Sequence, residues 1–320
     1  MERIFSPAEL DDLIAAPTAR GDLSALRGRI VVAVDCSSAR PDTRTLDTLR
    51  GLPVVTVGVG GPHEGLDVIV AGEQELAALA TALDANPQSS VTLIQVLRLG
   101  DALSPMDALV AESLAYATLQ GGAEFARWLE RRGARVRRPE PEPPVDVSRD
   151  GDRLRIVLNR PRVHNLYNAM MRDALVEALV VAVADPQLRI EVSGAGRSFC
   201  AGGDLAEFGS VSDAATAHLI RSSANAAPYL MALADRISVH AHGACVGAGI
   251  ELAAFASDLH AADNAFFQLP EVSMGLIPGA GGTVSIVRRI GRQRTAWMAL
   301  TGERIDAPTA LDWGLIDSIA

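Results

Sequence analysis

The chain reads as an α/β protein. Three observations predict this. Short Val- and Ile-rich runs alternate with longer helix-forming segments, several runs end in glycine-rich turns that open the next helix, and one proline-rich break divides the chain. The runs at 30–34, 54–59 and 91–97 are expected as strands, with helices at 73–83 and at 105–132, the latter broken at Gly121-Gly122. At 135–150, RVRRPEPEPPVDVSRD, prolines and alternating charge favour an extended connector over a helix or central strand. The expected organisation is an N-terminal α/β domain at 1–135 ending in a helical pair, a linker at 136–149 and a second domain at 150–320. In the second domain a strand at 154–158, a helix at Ala169–Ala184, a strand at 189–193 and a strand at Ile237–Ala241 predict parallel sheet with helical cover.

Length and composition bound the function. The 320 residues, 48% hydrophobic and 21% charged, suffice for two ordinary domains with sizeable cores. The net charge of −10 repels phosphate overall, so nucleic acid is not expected as a partner. Every one of the 29 positive charges is arginine, which excludes Schiff-base chemistry, a lysine base and a Walker-type loop. No window predicts a membrane span, and the acidic first residues, MERIFSPAELDD, do not read as a signal peptide, so the expected compartment is the cytoplasm. Cys36, Cys200 and Cys245 are too scattered for a disulfide framework or zinc cluster. Cys200 lacks an evident base and reads as a small buried hydrophobe. His240 and His242 share a strand face without a third ligand nearby, so no metal site is expected. Asp204 reads as a helix cap.

Chemistry concentrates in three glycine-rich stretches: GAGRSFCAGGD at 194–204, GACVGAGIE at 243–251 and GLIPGAGGT at 275–283. Glycine there lets backbone amides approach an oxyanion or phosphate at a helix N-terminus. None matches the dinucleotide fingerprint, because Phe199 stands at the third glycine position of the first and the second reads G-x-x-x-G-x-G. Glu251 and Glu271 stand in apolar surroundings, which marks each as a carboxylate whose pKa burial could raise for acid/base work. From the residues alone, Glu251 reads more readily as a first-turn acid favoured by the helix dipole, and Glu271 as a surface acid after a proline turn.

From 154 to 320 the chain resembles the crotonase superfamily, the enoyl-CoA hydratases and isomerases. The resemblance lies in LNRPRVHNLYNAMMRDAL, GAGRSFCAGGDLAEF, HGACVGAGIELA, FFQLPEVSMGLIPGAGGT and ALTGERIDAPTALDWGLID, in that order. It implies a ββα spiral core behind the smaller α/β domain, a homotrimer or dimer of trimers, and an acyl-CoA thioester substrate handled without metal or redox cofactor. Carried onto this sequence, it implies oxyanion-hole amides at Ala201 and Ala248, a catalytic pair at Glu251 and Glu271, and coenzyme A along Arg162, Val163 and His164. With both acids present, hydration is favoured over isomerisation. The alternatives are an isomerase, a cofactor-free aryl-CoA oxygenase or an inactive binding subunit.

The resemblance also implies terminal helices after GLID, where this sequence reaches Ala320. The segment MDALVAESLAYATLQGGAEFARWLERR at 106–132 is similar to those helices although it lies ahead of the core. Either it covers core surface, including that near Trp313 and Leu315, or it packs only on its own sheet.

Overall fold

The structure, a computed structural model, describes residues 2–135, 142–211 and 213–320. Thirteen strands form among them: β1 (Ile4–Phe5), β2 (Val31–Asp35), β3 (Val55–Val59), β4 (Val68–Val70), β5 (Val145–Asp150), β6 (Arg153–Leu158), β7 (Arg189–Gly194), β8 (Ile237–Ala241), β9 (Ala244–Val246), β10 (Asp258–Ala261), β11 (Phe266–Gln268), β12 (Ile305–Asp306) and β13 (Ser318–Ile319). No helix among the described residues is long and apolar enough to cross a membrane.

The first half builds a four-stranded sheet in the order β1-β2-β3-β4, all parallel. Its two central strands follow the predicted apolar runs, whereas the third run does not form a strand. Residues 91–97 lie within the helix Pro87–Gly100, with Pro87 in its first turn and Val91, Leu93, Ile94, Val96 and Leu97 all buried. A short apolar run does not by itself distinguish strand from buried helix, and here the helix buries most of the run while Gln95 and Leu99 stay exposed. The helical pair forms as expected, as Pro105–Gln120 and Ala123–Arg132, parted at Gly121-Gly122.

The second half contains a six-stranded sheet, β13-β10-β8-β7-β6-β5, and a three-stranded one, β12-β11-β9. The pairs β6·β7, β7·β8, β8·β10 and β10·β13 are parallel, while β5 runs antiparallel to β6 along its whole length. Part of the segment expected as linker is therefore an edge strand. Its burial pattern explains the reading: only Val145 is buried, and the rest of β5 is exposed. Of the rest of that linker, 136–141 lie outside the described residues.

The two halves share a core. One continuous apolar cluster runs from Val55 and Val57 of β3 through the helical pair to Leu259, Phe267 and Ile286. Polar contacts reinforce it, among them those of Asp67, which is buried and pairs with Arg98 at 2.5 Å and with Arg292 of the helix Gly282–Thr301 at 2.8 Å. Arg98 also donates to the carbonyls of Leu52 and Val54 at 2.9 Å, so its guanidinium is saturated despite burial. Leu315, expected as surface in need of cover, is fully buried, and Trp313 packs edge-on against Trp297 at 5.7 Å. The helical pair lies elsewhere, over residues 271–283.

Candidate active site

Two adjoining cavities open beside the glycine-rich turns. One, of about 410 Å³, is lined by Tyr116, Gly203, Ala248, Glu251 and Glu271 among others. The other, of about 1000 Å³, is lined by Val163, Ala201, Gly203, Gly247 and Glu271. Gly203 and Glu271 belong to both, which puts them at the junction.

Glu251 sits in the short helix Ala248–Ala253 and is buried. Its Oε2 accepts from the Ala280 amide at 2.7 Å and the Gly282 amide at 2.9 Å. Burial raises its pKa well above the usual carboxylate value, the charges of Glu271 and Glu112 add to this, and the two amides oppose it. Glu271 opens the turn Glu271–Met274 and is also buried, so it is not the surface acid that the residues alone allowed, whereas Glu251 does stand in the first turn of its helix. Burial pushes its pKa up to about 8. Its Oε2 is buried with no hydrogen-bond partner among the described residues. Gly247, at φ 49°, makes room for it: a Cβ there would lie 2.4 Å from Glu271 Oε1.

The expected donor pair needs one correction. Ala248 starts its helix, and its N–H has no partner among the described residues, as befits a first-turn amide. The Ala201 N–H, by contrast, donates to the His164 carbonyl at 2.9 Å and is not available to a ligand. Two residues on, Gly203 sits between two ladder contacts with Tyr167, Tyr167 N to Gly202 O at 2.8 Å and Asp204 N to Tyr167 O at 2.9 Å. The extended backbone alternates direction, so the Gly203 N–H faces away from Tyr167, and it has no acceptor among the described residues. Gly203, which lines both cavities, therefore offers them a free amide from the CAGGD stretch.

Of the residues expected along coenzyme A, Val163 lines the larger cavity, whereas Arg162 and His164 are exposed and do not. His164 is tied down through its ring, with Nδ1 3.1 Å from Ser198 Oγ. Arg160 lines that cavity instead, buried and paired with Asp204 at 3.0 Å. Asp204 thus holds Arg160 and the Ala206 amide within a turn rather than capping a helix. Burial pushes the Cys200 thiol up to about 12, in keeping with a packing role. His242 lies past the end of β8 and contacts the Gly196 carbonyl, while His240 stacks on His260.

Sequence reasoning missed a third buried acid. Glu112, on the helix Pro105–Gln120, accepts from the Gly281 amide at 2.8 Å, the Thr283 amide at 3.0 Å and Thr283 Oγ1 at 2.7 Å. Burial raises its pKa to about 6, partly offset by these bonds. The same helix brings Tyr116 into the smaller cavity, where a Cβ on Gly279 would lie 2.4 Å from the Tyr116 ring. The glycine at 279 therefore admits the helical pair as well as lining the cavity. The available signal was the one used for Glu271, an acid set among apolar residues, in ALVAESLAYA.

Comparison with known proteins places the second half of the chain in one family. The family model described as enoyl-CoA hydratase/isomerase matches residues 153–320. The chain is 36% identical over 174 residues to 2,3-dehydroadipyl-CoA hydratase of Escherichia coli (strain K12), covering 54% of this chain and 68% of that one. It is 34% identical over 175 residues to mevalonyl-coenzyme A hydratase of Beauveria bassiana (strain ARSEF 2860), covering 51% and 62%. Among solved structures it resembles enoyl-CoA hydratase from Thermoplasma volcanium GSS1, with a TM-score of 0.52, 30% identity and coverage of 56% of this chain and 72% of that one. The chain belongs to the enoyl-CoA hydratase/isomerase family, the crotonase superfamily, and its second half has the crotonase fold.

Proposed function

We propose that the protein is a hydratase, a lyase that adds water across the 2,3 double bond of an enoyl-CoA thioester. The thioester carbonyl would receive hydrogen bonds from the amides of Ala248 and Gly203, each typically worth about 3 to 4 kcal/mol of enolate stabilisation. Glu251 acts as the base on the attacking water: two amide donors fix its Oε2 and offset part of the burial that raises its pKa. Glu271 acts as the acid. The water oxygen bonds to Cβ, its proton passes to Glu251, and the proton of Glu271 goes to Cα as the enolate collapses. Coenzyme A would occupy the larger cavity, which Val163 lines, and the reaction would need no cofactor beyond the one in its substrate.

The observation that carries this reading is the unpartnered Oε2 of Glu271, buried beside a second raised-pKa carboxylate in one cavity. A buried carboxyl oxygen without a partner costs free energy that a structural role would not require. Incubation with a panel of enoyl-CoA thioesters, followed by mass analysis, tests it. Gain of one water supports the proposal. Unchanged mass with a shifted double bond, or uptake of oxygen, refutes it.

A further inference from the structure

Arg221, in the helix Ala214–Ser223, contributes to the wall of the smaller cavity together with Gln120 and Asn225. Its guanidinium lies over the Tyr116 ring, 4.0 Å from the centroid. Its hydrogen bonds are long and to neutral groups, Nη2 to Gln120 Oε1 at 3.3 Å and Nη1 to the Ala217 carbonyl at 3.5 Å. No carboxylate among the described residues comes within ion-pair distance of it. Burial costs this cation enough to lower its pKa, although the charges of Glu112 and Glu251 are near enough to oppose the shift. Those two acids do not pair with it because their oxygens are held by the backbone amides of residues 280–283.

A part-buried arginine beside the reacting groups, with no counter-ion, is costly in a cavity meant for a hydrocarbon chain. An apolar acyl tail would remove the remaining water and give nothing in return. A carboxylate would meet the planar fork of donors in bidentate fashion, and the tyrosine face would hold the guanidinium in place. We propose that Arg221 selects the substrate, and that the acyl group entering this cavity carries a carboxylate at the end remote from the thioester. This inference rests on the hydratase reading of Glu251 and Glu271 and names the substrate class of that site. Gln120 and Asn225 then supply neutral donors to the same carboxylate.

The test compares two trans-2-enoyl-CoA thioesters of six acyl carbons, one ending in methyl and one in carboxylate, on the wild-type protein and on Arg221→Gln. The expected wild-type preference in kcat/KM is about 10- to 100-fold for the carboxylate, carried mainly by KM, and Arg221→Gln should collapse that ratio to about one or invert it. Because the ratio is read, a general loss of activity does not imitate the effect. A wild-type preference for the methyl end, or an unchanged ratio in the variant, overturns the proposal. Calorimetric titration with the two saturated six-carbon acyl-CoAs makes the same comparison without turnover. If neither enoyl thioester is hydrated but the saturated carboxylate binds more tightly than the methyl compound and Arg221→Gln abolishes the difference, the hydratase reading fails and the Arg221 assignment stands. Equal binding of the two sinks the assignment.

Discussion

Glu251 and Glu112 hold one turn between them by taking alternate backbone amides. Glu251 accepts from residues 280 and 282, and Glu112 from 281 and 283. One acid comes from the core and the other from a helix that precedes it by more than a hundred residues. The turn they clamp opens the helix Gly282–Thr301, so its orphan amides are satisfied by two carboxylates and its dipole meets negative charge. The orientation of Glu251, and with it the proposed base, depends on the helical pair.

Replacing Glu112 should therefore affect both stability and rate. Glu112→Ala leaves the amides of Gly281 and Thr283 buried without acceptors, a loss of about 2 to 4 kcal/mol. Glu112→Gln keeps the shape but offers one carbonyl oxygen for donors that now use two, so a smaller loss is expected. Thermal unfolding together with kcat of the folded fraction checks this. Unaltered values in Glu112→Ala would show that the turn is held without it.

The paired acids predict a bell-shaped pH profile for kcat/KM. Burial and the charge of Glu271 raise the pKa of Glu251, and burial raises that of Glu271, so the two titrate as one unit: activity falls on the acid side when both carboxyls hold protons and on the alkaline side when the pair has lost the last one. The stability contribution follows the same group. The pKa of folded Glu271 lies above the unfolded value of 4.5, so the folded protein binds more protons between the two; stability is full below about 4.5 and is lost as pH rises through about 8. Glu271→Gln should thus raise the melting temperature at pH 8 more than at pH 5. An equal or reversed change would show that the carboxyl is not buried in its proposed state.

Oxyanion polarisation is read on the bound carbonyl. A bound thioester should show a lowered carbonyl stretching frequency, and Ala248→Pro, which deletes a donor, should reduce that shift along with turnover. An unshifted carbonyl in the wild-type protein would exclude donors at Ala248 and Gly203.

A chain of residues 146–320 alone should be insoluble or inactive, because Glu251 and the turn after Gly279 would lose Glu112 and Tyr116 and expose the core they share. Co-expression with residues 1–145 should restore solubility and activity. A soluble, fully active fragment would show the helical pair to be accessory.

The blocks around CAGGD, GAGIE and LPEV were legible because family chemistry ties particular residues to particular turns. Glu251 and Glu271 could be singled out as acids without charged neighbours. The residues that escaped were those whose meaning depends on long-range contact. Glu112 looks like a helix-surface acid until the turn at 280–283 lies against it, and Arg221 is one arginine among 29 until its neighbours prove neutral. Ala201 was misassigned because one-dimensional spacing does not tell which of two nearby amides is spent on His164. The run at 91–97, within the helix Pro87–Gly100, reads as a strand because a short, mostly apolar stretch fits a strand as well as a buried helix.

The central claim, two acids adding water, is tested most directly by hydration of a trans-2-enoyl-CoA in ¹⁸O-labelled water by the wild-type protein, Glu251→Gln and Glu271→Gln. The account predicts labelled 3-hydroxyacyl-CoA from the wild type, a loss of about 10² to 10⁴-fold in rate for each single variant, and a double variant little slower than either. No label in the wild-type product, or near wild-type turnover by either single variant, would contradict it.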